Sequence, residues 1–132
     1  MPAINTLSLE NRADTPANVD FNPVRIDGNV AWFKAPGNTT LGDKLVSISA
    51  RTTAGGYRKV ILKVMLPVVS TDSSTGVDLV SVARKSHLTM EFSFAPDATE
   101  DEMNETVAYG YALLDSSQSL VDPVLTQGAS FY

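Results

Sequence analysis

Cysteine is absent from the 132 residues, and histidine occurs once, as His87. The first absence excludes disulfides, thiol catalysis and cysteine-based zinc sites. The second leaves little for nucleophilic catalysis. Ser86 adjoins His87 but points to the opposite face of an extended strand, so a local serine–histidine pair is geometrically poor. Long apolar runs are missing too. The longest, "VILKVMLPVV", is interrupted by Lys63 and Pro67 and falls well short of the ~18 residues of a membrane helix. "MPAINTLSLENRAD" has no basic segment followed by an apolar one, so no signal peptide and no membrane partner are expected. The sequons at 38–40 and 104–106 therefore carry no weight. "TAGGY" lacks the lysine of a phosphate-binding loop and reads as a turn. No cofactor is expected, and no metal. Asp72 and Asp78, flanking a polar loop, are the weak cation candidates.

What is present describes one globular domain: 43% hydrophobic and 19% charged residues, with a net charge of −5. The charge is unevenly placed. Between Lys44 and Glu91 lie Lys44, Arg51, Arg58, Lys59, Lys63, Arg84 and Lys85, against Asp72, Asp78 and Glu91. Acid gathers elsewhere, at Glu10, Asp14, Asp20 and Asp27, and again at Asp97, Glu100, Asp101, Glu102 and Glu105.

Turn residues divide the first two thirds into strands. "INTLSLEN" and "VDFNPVRI", joined by the turn "RADTPAN", predict an N-terminal hairpin, with Pro23 marking an edge or a bulge. "NVAWFKA", "KLVSISART", "YRKVILKVMLPVV" and "VDLVSVARKSHLTMEFSF" follow, separated by "PGNTTLGD", the tight reversal "TAGG" and the polar loop "STDSSTG". From residue 46 to 94 the even positions are mainly apolar and the odd ones mainly polar. That is the pattern of an antiparallel sheet with one covered and one open face. After Pro96 the period lengthens. Met103, Val107, Tyr111 and Leu114 share a helical stripe, and Thr99 with Glu102 predicts a capping box. "SLVDPVLTQ" reads as a shorter helix, with Ser119 as N-cap and Gly128 past its end. The expected fold is α+β in a single domain: hairpin over 1–28, sheet over 29–95, helices over 98–127. Two short helices cover little of so long a sheet, and the last strand leaves an unpaired edge, so a dimer is expected.

The open sheet face would present Ser47, Ser49, Arg51, Lys59, Lys63, His87, Thr89 and Glu91 together. Hydroxyls and amines there reach base edges, basic groups meet phosphates, and His87 stacks or donates, as in sheet-based recognition of single-stranded RNA. The residues alone also admit a sheet-based RNA-binding module that does not assemble, and a small α+β enzyme using Glu100 and Glu102, although helix capping accounts for those acids.

The order and spacing of "ISARTTAGGYRKVILKVMLPVV", "TGVDL", "RKSHLTMEF", "ATEDEMNETVAYGYALL" and "GASFY" resemble the coat proteins of the small single-stranded RNA bacteriophages, the levivirus group, over nearly the whole chain. The resemblance implies an interlocked dimer, with helices reaching across the partner's sheet. It also implies an icosahedral shell around the viral RNA, assembled in the bacterial cytoplasm, with the sheet facing inward. The loop at about 70–79 would cluster at symmetry axes, without disulfides. A second activity is implied: binding of a hairpin operator that represses replicase translation. By position, Ser47, Ser49 and Lys63 look like the adenine-pocket residues, with Arg51 nearby. His87 takes the place of the stacking aromatic, Thr89 that of an asparagine, and Glu91 matches an acid. Ile61 departs from the family's hydroxyl.

Overall fold

The computed structural model describes residues 4–10, 17–35, 42–72, 74, 76 and 79–130. They form two compact units, a sheet unit through Ser93 and a helical unit from Phe94 onward. The sheet unit contains β1 (Leu7–Glu10), β2 (Asn18–Asp27), β3 (Val30–Ala35), β4 (Lys44–Thr52), β5 (Arg58–Asp72) and β6 (Leu79–Phe94). All six lie in one sheet in sequence order. The first four pairings are antiparallel. Between β5 and β6, Ser70 faces Ser81 across 3.4 Å and Lys59 meets Glu91 at 3.2 Å, so that pair is antiparallel as well. The predicted N-terminal hairpin is β1 on β2, with Leu7 opposite Phe21.

Pro23 marks a bulge, just past the end of the β1 ladder at Phe21. β2 is flanked by β1 and β3, and its register to β3 shifts between Pro23 and Arg25. The extra residue turns the strand's parity over. Phe21 enters the core, yet Ile26, five positions on, lines the same apolar face beside Ala31, Phe33 and Ile48. Gly28 has φ +59 and opens the two-residue connection to β3. Glycine is favoured there because side chains resist positive φ. The core is small: Phe21, Phe33, Ala35 and Val46 are buried, with Ile4, Leu7, Val19, Ala31, Ile48 and Val64 packed against them.

Two boundaries differ from the sequence reading. Ser70, Thr71 and Asp72 belong to β5 and Leu79 to β6, so the loop assigned to 70–79 is shorter than expected. Its turn is closed by Asp72, whose Oδ1 accepts from the Ser74 N–H at 2.9 Å. Pro67 does not end β5 because the β4 ladder stops at Met65, so its missing N–H breaks no bond on that side. Most of the "RADTPAN" and "PGNTTLGD" turns, Asp78 and the end of "GASFY" lie outside the described residues.

The helical unit holds α1 (Glu100–Leu113) and α2 (Asp122–Thr126). The capping box is complete: Thr99 Oγ1 accepts from Glu102 N–H at 3.3 Å, and Glu102 Oε2 accepts from Thr99 N–H at 3.2 Å. Glu100, Asp101 and Glu102 occupy the first turn, where the helix dipole favours negative charge. The second helix is shorter than predicted, and its N-cap is Val121 in place of Ser119. Turns bring both Val121 and Asp122 N–H back to Gln118 O, and Pro123, lacking an N–H, fits the first helical turn. Gly128, at φ +67, follows its end as expected. Neither helix buries a residue within this chain. Val107, Tyr109, Tyr111 and Leu113 are about half exposed or more.

Replacing Thr99 with alanine is expected to lower stability by about 1 kcal/mol, read as a lower urea midpoint at unchanged slope, whereas Thr99→Ser should keep the parental midpoint. The backbone and side-chain hydrogen bonds from Ser74 hold Asp72 below its ordinary 3.8. A carboxylate depressed in the folded state contributes its stabilisation above the ordinary value and loses it as pH falls through the lowered one. The Ser74 amide resonance should titrate in that lower window and lose its pH dependence in Asp72→Ala.

Candidate nucleic-acid interface

Residues directly opposite on antiparallel strands share a face, so the register itself assembles the site. On β4 and β5, Ser47 stands opposite Lys63, Ser49 opposite Ile61 and Arg51 opposite Lys59. On β3, Trp32 stands opposite Ser47 and Val30 opposite Ser49. One strand further, Arg25 of β2 stands opposite Trp32. His87 and Thr89 of β6 join Trp32, Ser47, Lys63 and Met65 around a cleft of about 190 Å³.

The eight residues named from the sequence thus fall into three sets. Ser47, Lys63, His87 and Thr89 converge on the cleft. Ser49 and Arg51 continue along β4 beyond it, on the same face. Lys59 and Glu91 form an ion pair at 3.2 Å. That pair has a local reason: Arg51 lies directly opposite Lys59, and like charges so placed repel. Glu91 offsets the repulsion and leaves Arg51 and Lys63 without an ion-pair partner among the described residues. Ser47 departs from the expectation of an open face. It is only 7% exposed, because it sits between Trp32 on one neighbouring strand and Lys63 on the other. Ile61 presents an apolar side chain opposite Ser49, so at this point of the face a hydroxyl meets an alkyl group.

The even/odd reading missed Trp32 and Arg25. The Arg25 guanidinium lies over the Trp32 ring, 5.1 Å from its centroid, within the range of a cation–π contact. The Trp32 Nε1 is buried and has no hydrogen-bond partner among the described residues. The available signal was "RIDGNVAW": a Gly-Asn pair between strand-like runs marks a two-residue hairpin, and that pairing puts arginine beside tryptophan.

The other candidate chemistries find no support. Glu100 and Glu102 are exposed and serve the helix start. Asp72 caps its own turn, and no group of three or more potential metal ligands occurs among the described residues. No helix among them is long and apolar enough to cross a membrane.

The family model for the levivirus coat protein matches residues 2–132. The capsid protein of Pseudomonas phage PRR1 is 31% identical over 104 residues, covering 79% of each chain. Among solved structures, the virus-like particle of bacteriophage NT-214 superposes with a TM-score of 0.83 at 20% identity, over 99% of this chain and 100% of that one. The capsid protein of bacteriophage GA gives 0.80 at 22% identity, over 98% of both. An unassembled virus coat protein dimer, a bacteriophage RNA-binding dimer, gives 0.70 at 19% identity, again over 98% of both. Over these lengths the chain shares their fold. This chain belongs to the levivirus coat protein family, as a structural capsid protein and not an enzyme.

Proposed function

We propose that this coat protein forms dimers that assemble into an icosahedral shell around single-stranded viral RNA, with the polar sheet face as its RNA-binding surface. The observation that carries the RNA assignment is the convergence of Ser47, Lys63, His87 and Thr89 on one cleft, with Arg51, free of an ion pair among the described residues, on the same face. Lys63 and Arg51 meet phosphates. Ser47 and Thr89 offer hydroxyls to a base edge, and the exposed His87 offers a ring to stack on or a donor. Splayed bases of a hairpin loop are the RNA form that such a face reads best, so an operator hairpin at the replicase start is the specific ligand proposed.

Dimerisation is supported by what the single chain leaves uncovered. The α1 side chains Val107, Tyr109 and Tyr111 are exposed, as are Leu66, Val68 and Leu88 on the sheet's apolar rows. β6, sixteen residues long, is an edge strand. A partner that pairs this edge and covers those side chains removes both liabilities at once. The assembled protein would reside in the virion after assembly in the host cytoplasm.

Electron microscopy of the purified protein, with ultraviolet absorbance to report co-purified nucleic acid, tests the assembly. Closed particles containing RNA are expected. Dimers that fail to assemble over a range of salt and added RNA would instead identify a small RNA-binding module. Within the site, Lys63→Ala is expected to weaken binding of every RNA and to flatten the logarithmic salt dependence by about 0.7. Lys59→Ala should do less, because Glu91 already compensates that charge. His87→Ala is expected to alter the ranking of hairpins more than the mean affinity. Filter-binding titrations over a hairpin panel separate the two effects, and indistinguishable Lys63 and His87 variants would defeat this division of roles.

A further inference from the structure

Four residues in directly opposed positions cross the polar face in one row: Arg25 on β2, Trp32 on β3, Ser47 on β4 and Lys63 on β5. Neighbouring strands lie about 4.8 Å apart, so the two cations at the ends of the row stand on backbones roughly 14 Å apart. We infer that the RNA-binding surface extends past β4 onto this β2–β3 hairpin, with Arg25 contacting a phosphate and Trp32 walling the base-binding cleft. The inference rests on the RNA-binding reading given above and adds to it a second anchoring point and a specificity-determining residue.

Three observations carry it. First, Arg25 is exposed and held: its guanidinium lies over the indole at 5.1 Å, and no carboxylate among the described residues pairs with it. A cation–π contact restrains a guanidinium without neutralising its charge, and a restrained, fully charged arginine is prepared for an oxyanion. Second, Trp32 lines the same cleft as Lys63, His87 and Thr89. Third, packing alone does not account for an indole there. Its Nε1 is buried without an acceptor among the described residues, which is unfavourable, and phenylalanine would line the cleft without stranding a donor. A cation, a flat ring and a second cation in line match phosphate, base and phosphate of a single strand. An acidic peptide would supply the anions, but a planar ring between each pair of them is built into a nucleic-acid strand and not into a peptide backbone.

The test uses the full chain, freed of co-purified nucleic acid, and a short fluorescent single-stranded RNA titrated at several salt concentrations. Arg25→Gln is expected to bind roughly tenfold more weakly, with the salt slope flatter by about 0.7. Arg25→Lys, which keeps the charge, should restore the slope. Trp32→Phe should melt at or above the parental temperature and yet bind RNA several-fold more weakly, an outcome that a purely structural tryptophan does not produce. Lys63→Ala serves as the reference. If it is weakened while Arg25→Gln and Trp32→Phe bind like the parent, the surface ends at β4 and the inference is wrong. Parental binding by Lys63→Ala would remove the RNA-binding reading itself. Displacement of the RNA by an acidic peptide at comparable concentration would reassign the row to a protein partner.

Discussion

Ser47 of β4 stands opposite Lys63 of β5, and the place of nearly every other group on the polar face follows from that register. Side chains alternate with a period of two, so a slip of one residue would carry Lys63 to the apolar side and bring Leu62 or Val64 to the polar one. Two features prevent it. Val46 is buried directly opposite Val64, inside the core cluster, so the slipped pairing would place a lysine where a valine packs. The connecting turn sets the count from the other end: Thr53 N–H donates to Tyr57 O at 2.8 Å and Gly56 N–H to Thr53 O at 2.9 Å. Gly56 adopts φ +85 there, a conformation that resists a side chain. Packing on one face thus positions chemistry on the other.

The same sheet explains why one chain is an incomplete object. Its buried core is confined to side chains of β2, β3 and β4, with β1 and β5 packed against it, while the far half of the apolar face, toward β6, stays partly open at Leu66, Val68 and Leu88. The helix stripe predicted from Met103, Val107, Tyr111 and Leu114 exists as an α-helix, yet it buries nothing in this chain. An amphipathic helix of this length draws most of its stability from packing of its apolar side, and the Thr99 cap supplies only a small part. The sequence has kept apolar residues where a solitary chain would expose them, and the economical reason is a second copy.

How much of this was legible depends on how locally each feature is encoded. β4 and the part of β5 that faces it were readable because a regular alternation, with no register shift between them, fixes which residues share a face. Ser47, Ser49, Arg51, Lys59 and Lys63 all sit where that alternation puts them. The capping box was readable because Thr99 and Glu102 act on each other's backbone. Pro23 was readable as an irregularity, but its effect was not. The bulge reverses parity within β2, and in β3 the odd residue Phe33 faces the core while the even residue Trp32 faces the polar side. A rule calibrated on residues 46–94 therefore points the wrong way for the residues that complete the row. Ser119 failed as an N-cap for a related reason: the turn after Gln118 occupies the backbone that a longer helix would have used.

Charge follows the same division of labour. The chain carries a net charge of −5, which by itself speaks against a polyanionic partner, yet the acids have local employment. Glu100, Asp101 and Glu102 sit at the positive end of α1, Asp72 closes a turn, and Glu91 relieves the opposed Arg51–Lys59 pair by taking Lys59. Among the cations of the polar face, Arg25, Arg51 and Lys63 are each free of an ion pair among the described residues. A nucleic acid at a Debye length of about 8 Å senses the nearest charges and little of the distant sum. Net charge thus describes the protein's solubility and its self-repulsion in solution, whereas the cations on the sheet set the local potential that the proposed RNA partner would meet.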